Sequence, residues 1–113
     1  MKPHHRLKLW QKAIDLVLEA YRVRERFPRE EIYGLINQMR RAAVSIASNI
    51  AEGAARGSNA EFKKYLAIAQ GSAAELEARV IIAGRLGFPI DAEKFLSELD
   101  EISRMILGLR KTL

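Results

Sequence analysis

Residues 58–86 read SNAEFKKYLAIAQGSAAELEARVIIAGRL, and this stretch decides the fold. Phe62, Leu66, Ala69, Ala73, Leu76, Val80 and Ala83 recur at alternating steps of four and three. On an α-helix that spacing gathers every apolar member onto one face, whereas on a strand it scatters them over both. Ser58 precedes the run and Glu61 lies three residues after it, the pattern in which a hydroxyl caps the first turn. Gly87-Phe88-Pro89 closes it, because glycine accepts the left-handed position after a helix and proline cannot continue one. The helix therefore carries its own start and stop, and its apolar seam must be covered by other helices.

The same rhythm occurs elsewhere. Leu9, Ala13, Leu16, Ala20, Val23 and Phe27 form one series, and Ile32, Ile36, Met39, Ala43, Ile46 and Ile50 a second. Phe95, Leu99, Ile102, Ile106, Leu109 and Leu113 form the last. Phe27-Pro28 ends the first segment, since the residue before proline avoids the α region. Arg56-Gly57-Ser58 separates the second from the third, and Asp91 is placed to cap the fourth. Helices are expected over residues 7–27, 30–56, 58–86 and 91–112, in one domain spanning 1–113. Connections this short make successive helices antiparallel, so the expected fold is an all-α, up-down-up-down four-helix bundle.

Several helices carry apolar residues beyond one seam: Trp10, Ile14, Val17 and Tyr21, then Leu35 and Val44, then Ile68, Ile81 and Ile82. A helix apolar over more than one stripe buries more than one face, and monomers seldom expose large apolar patches. Helices two and three are also rich in small residues, which let helices approach closely. A homo-oligomer is therefore expected. The competing reading is that a wide bundle core absorbs both stripes.

The net charge is +5, and all of the excess falls in residues 1–57, with eleven Lys and Arg against six Asp and Glu. Such asymmetry favours polyanionic partners, although it also keeps a small protein soluble. The candidate nucleic-acid contacts are the pairs Arg40-Arg41 and Lys63-Lys64 together with Arg56, Lys8 and Lys12. On the first helix Lys8, Lys12, Asp15, Glu19, Arg22, Arg26 and Arg29 form a charged stripe, which reads first as a solvated face.

Catalytic chemistry finds no footing. With no cysteine there is neither a thiol nucleophile nor a thiolate metal site. The two histidines, His4 and His5, sit together at an N-terminus expected to fray. No di-iron motif, phosphate loop, dinucleotide fingerprint or nucleophile elbow is present. No enzyme activity, cofactor or metal is expected. No apolar run reaches the roughly 18 residues of a membrane span, and cytoplasmic residence is expected.

One polar motif stands out. Gln38, Arg41, Ser45, Ser48, Glu52 and Arg56 line one face of the second helix, with Asn49 nearer the seam. Polar groups beside a seam must be hydrogen-bonded. The structural reading is a network in which Asn49 reaches Ser72 or Glu75 on helix three, with Glu52 and Arg56 as an i,i+4 pair. The functional reading is a groove that faces a ligand.

At this helix the sequence resembles a known family. Tyr33-Gly34-Leu35, the run from Gln38 through Ser45 to Ile46, and Ser48-Asn49-Ile50-Ala51-Glu52-Gly53 are similar to the signature of a bacterial four-helix-bundle family named for the 23S rRNA intervening sequence. The similarity continues through Arg56, Ser58, Glu61-Phe62, Leu66, Ala69, Gly71-Ser72 and Glu75-Leu76. Upstream it includes Leu9-Trp10-Gln11-Lys12-Ala13 and Phe27-Pro28, and downstream Leu86-Gly87. The resemblance implies a left-handed bundle assembled as a homopentamer, in which the basic pairs would form a positive ring. It carries no catalytic residue and assigns no role to Gln38, Ser45, Asn49 or Glu52. The encoding of some members within rRNA insertions suggests RNA as partner. The chain is similar also to the accessory variability protein of diversity-generating retroelements, which implies nucleic acid and a reverse transcriptase as partners. The leading expectation is an oligomeric module that binds RNA or DNA without base readout. The alternative is a protein–protein scaffold that serves a nucleic-acid enzyme.

Overall fold

A computed structural model describes residue 4 and residues 7–23 and 34–113. Among them are four α-helices and no strand: α1 (Lys8–Arg22), α2 (Leu35–Ala55), α3 (Asn59–Arg85) and α4 (Ala92–Lys111). The Phe27-Pro28 stop, Arg26, Arg29, Ile32, Tyr33 and His5 lie outside the described residues, as do the expected end of the first helix and start of the second.

The helix ends show the local chemistry that set them. Ser58 Oγ accepts the Glu61 N–H at 3.2 Å, and Asp91 Oδ1 accepts the Lys94 N–H at 3.1 Å. Gly57 and Gly87 both take positive φ, at 82° and 79°, which other residues adopt only at a cost. After α3, Phe88 N–H bonds to Ala83 O and Gly87 N–H to Gly84 O, each at 3.1 Å. These are the paired bonds of a Schellman stop.

The seams meet in one apolar core. Every described seam residue of α1 and α2 is buried, as are Leu66, Ala69, Ala73, Leu76, Val80 and Ala83 of α3. Phe95, Leu99, Ile102 and Ile106 complete the core from α4, with Phe62, Leu109 and Leu113 packed at its margins. Each helix has two principal neighbours, in the cycle α1–α2–α3–α4–α1. The α2–α3 interface is the most extensive and α1–α4 the thinnest. At 1.5 Å per residue α3 alone is about 40 Å long, close to the 43 Å long dimension of the molecule.

The second apolar stripe divides. Trp10, Ile14, Val17 and Leu35 pack against the core. Tyr21, Val44, Ile68 and Ile82 remain exposed, together with Leu18, Leu86 and Leu107. The His4 ring meets Trp10 edge-on at 4.8 Å.

Candidate nucleic-acid interface

The charged stripe of α1 is not simply a wet face. Lys12 Nζ lies 2.8 Å from Glu101 and Lys94 Nζ lies 3.5 Å from Glu19, so the stripe meets α4 across the thinnest interface. The bond and charge of Lys12, with a smaller contribution from Lys8, hold the Glu101 carboxyl below its ordinary range. Lys12 is thus committed to the bundle, while Lys8 is exposed.

Glu98 behaves oppositely on the same seam. Burial first, then the hydrogen bond shared with Glu19 and the charge of Glu19, push its carboxyl up to about 7, against the pull of Lys94. A carboxyl raised on folding binds its proton more tightly in the native state. Its stabilising effect is full below the ordinary carboxylate range and fades as pH rises through about 7. Glu98→Gln is therefore expected to melt higher than wild type above pH 7 and to match it near pH 4.5, the ordinary value. Equal melting shifts at both pH values would contradict this account.

The polar motif of α2 is a hydrogen-bonded link between helices. Ser45 Oγ and the buried Ser72 Oγ are 2.7 Å apart across the α2–α3 interface. Asn49 does not cross to α3 as expected. It donates to Ser45 O at 2.8 Å and to Ser45 Oγ at 3.1 Å, staying on its own helix. Glu75 is taken instead by Arg79, at 3.5 Å. Gln38 and Ser48 are exposed.

Each basic pair is split by an aromatic ring. Arg40 stacks 4.3 Å above the Tyr21 ring and donates to Tyr21 O at 3.0 Å, while Arg41 is exposed. Lys64 lies 5.9 Å from the Tyr65 ring, while Lys63 faces a cleft beside α4. Cations so placed gain from the ring quadrupole. Arg56 bonds Glu52 at 2.6 Å and Tyr65 Oη at 2.7 Å. Those two partners, Glu52 foremost, raise its pKa.

The candidates therefore do not form one patch. Arg41 lines an open groove of about 340 Å³ with Tyr21, Asn37, Arg40, Val44 and Ser45. Lys63 lines another of about 270 Å³ with Leu107, Arg110 and Lys111. Gly53 abuts Phe62 and Tyr65 at the start of α3. Arg41 lies twelve residues earlier on α2, about 18 Å along its axis. Sequence reading missed Arg110 and Lys111, since charge was balanced by halves of the chain and not by helix faces. It also read Tyr21 as part of a second apolar stripe, whereas the residue is 48% exposed beneath Arg40. The role of Tyr65 went unread.

Among the described residues, no helix is long and apolar enough to cross a membrane. No group of three or more His, Cys, Asp or Glu side chains there could hold a metal ion. Among curated proteins none matches the sequence. A family model described as 23S rRNA-intervening sequence protein matches residues 5–108, nearly the whole chain, and the four helices are all-α as the motif around Ser45–Gly53 implied. The chain belongs to the 23S rRNA-intervening sequence protein family.

Proposed function

We propose that the chain is a non-enzymatic, self-associating cytoplasmic module that binds nucleic acid, RNA foremost, through backbone phosphates and without reading bases. The observation that carries this reading is the pairing pattern of its charges. Glu19, Glu52, Glu75, Asp100 and Glu101 are engaged by cations of the same chain. Arg41 and Lys63 are exposed and pair with no described carboxylate. Uncompensated cations on a rigid helical frame attract phosphates, and binding releases condensed counterions. Self-association is supported by the exposed Tyr21, Val44, Ile68, Ile82 and Leu86, and the family's implied assembly is a pentamer. The short Arg56-Gly57-Ser58 connection supports antiparallel packing, and a left-handed bundle is what the family resemblance implies.

The test is binding of a single-stranded RNA by the full chain across a salt series. Affinity is expected to fall steeply with salt. Arg41→Glu and Lys63→Glu should each weaken binding about tenfold and lower the slope of log affinity against log salt by about 0.7, the value for one lost contact on a single strand. Wild-type retention by both variants would refute the reading, and sedimentation of a 12.8 kDa species at micromolar concentration would refute self-association. The Arg41 groove also exposes Tyr21 and Val44, an apolar–cationic mixture that suits a protein partner such as a polymerase. Capture of that partner after nuclease treatment would favour the scaffold reading.

A further inference from the structure

We infer that the cleft between the start of α3 and the end of α4 is a phosphodiester-binding seat, formed by Lys63, Arg110 and Lys111 around Leu107. This rests on the nucleic-acid reading above and assigns it a site that the charge asymmetry of the sequence did not reveal. Residues 58–113 are net neutral, yet three cations of that half converge on one cleft whose lining includes no carboxylate.

Arg110 and Lys111 alone would need no ligand, because cations at a helix C-terminus are favoured by the helix dipole. Lys63 changes the argument. It comes from the other helix, where no C-terminal dipole favours it, and it brings a third like charge to the group. Arg110 is held in place by donating to Gln70 Oε1 at 2.9 Å. Gln70 is a neutral amide, so the guanidinium is oriented without being neutralised, and its remaining donors can serve an anion. An oriented guanidinium flanked by two ammonium groups matches the several acceptor oxygens of a phosphate.

The cleft's shape argues for a chain phosphate over a small free anion. Its volume is about 270 Å³ and it is open to solvent. Leu107, 43% exposed, supplies an apolar surface at its edge. A sugar attached to the phosphate can cover that leucine, which a bare inorganic anion cannot. No aromatic side chain lines the cleft, so stacking readout of a base is not provided.

The test uses the full-length protein, a labelled oligouridylate, and the double variant Lys63→Glu/Lys111→Glu. Both lysines are exposed, and the Arg110–Gln70 bond is left intact. The melting temperature by circular dichroism should fall by no more than a few degrees, because Lys111→Glu loses a favourable dipole contribution in the last turn of α4, and the variant should remain folded at the binding temperature. The double variant is expected to bind the RNA at least tenfold more weakly and to lower the salt slope by about 1.4, that is, by about 0.7 per lost contact on a single strand. An unchanged affinity and slope, while Arg41→Glu still weakens binding, overturns the cleft and spares the broader reading. Absence of wild-type binding at low salt overturns both. Displacement of the RNA by polyglutamate as readily as by unlabelled RNA overturns the assignment to phosphate, and displacement by inorganic phosphate at equal phosphate concentration overturns the requirement for a chain.

Discussion

Gly53→Val is expected to destabilise the protein by more than about 3 kcal/mol and Gly53→Ala by about 1–2 kcal/mol, both measured by urea denaturation. A β-carbon at Gly53 would lie 2.7 Å from Tyr65 Cβ and 3.0 Å from Phe62 Cδ1. The first contact is decisive, because Tyr65 Cβ is fixed to the α3 backbone and no rotamer change removes it. The two helices must separate, and they share the molecule's most extensive interface. Alanine recovers about 1 kcal/mol in helix propensity, which offsets part of the overpacking, whereas valine adds branched bulk and recovers less. Gly108 is the control. It also lies within a helix, but a β-carbon there meets nothing within 4 Å. Gly108→Ala should stabilise by up to about 1 kcal/mol. Losses of similar size at both positions would mean that helix propensity, and not the α2–α3 approach, governs Gly53.

This contrast shows where the sequence is legible. The alternation of four and three at Leu66, Ala69, Ala73, Leu76, Val80 and Ala83 is a property of one helix, so their burial could be read without knowing any neighbour. Capping at Ser58 and Asp91 is equally local. Gly53 carries no such signal, because its constraint is an atom on another helix. Lys12 fails for the same reason: its spacing fits a solvated stripe, but Glu101 on α4 claims it. The splitting of Arg40 from Arg41 and of Lys64 from Lys63 depends on where Tyr21 and Tyr65 stand. Tertiary neighbours decide which cations remain available, so the family signature could mark residues 38–53 as special without assigning them roles.

The polar link between α2 and α3 gives the second large effect. Ser72→Ala alone is expected to cost about 1–2 kcal/mol, since Ser45 Oγ loses its partner at 2.7 Å across a partly buried interface. Ser45→Ala should cost about the same or slightly more, as Asn49 Nδ2 then keeps only the Ser45 carbonyl. The double variant is expected to recover much of the loss, because removing both hydroxyls leaves no orphaned hydroxyl between two small side chains, while Asn49 Nδ2 keeps its bond to the carbonyl of residue 45. Such a coupling, read from denaturation midpoints of the four proteins in one cycle, identifies the serines as a register-setting pair between helices. A ligand-facing groove would give a different pattern. The two losses in stability would then be small and additive, and RNA affinity would fall in the double variant while its melting temperature stayed within a few degrees of wild type. Ser45 borders the same groove as Arg41, so both measurements on one set of variants separate the scaffold of that groove from its binding surface.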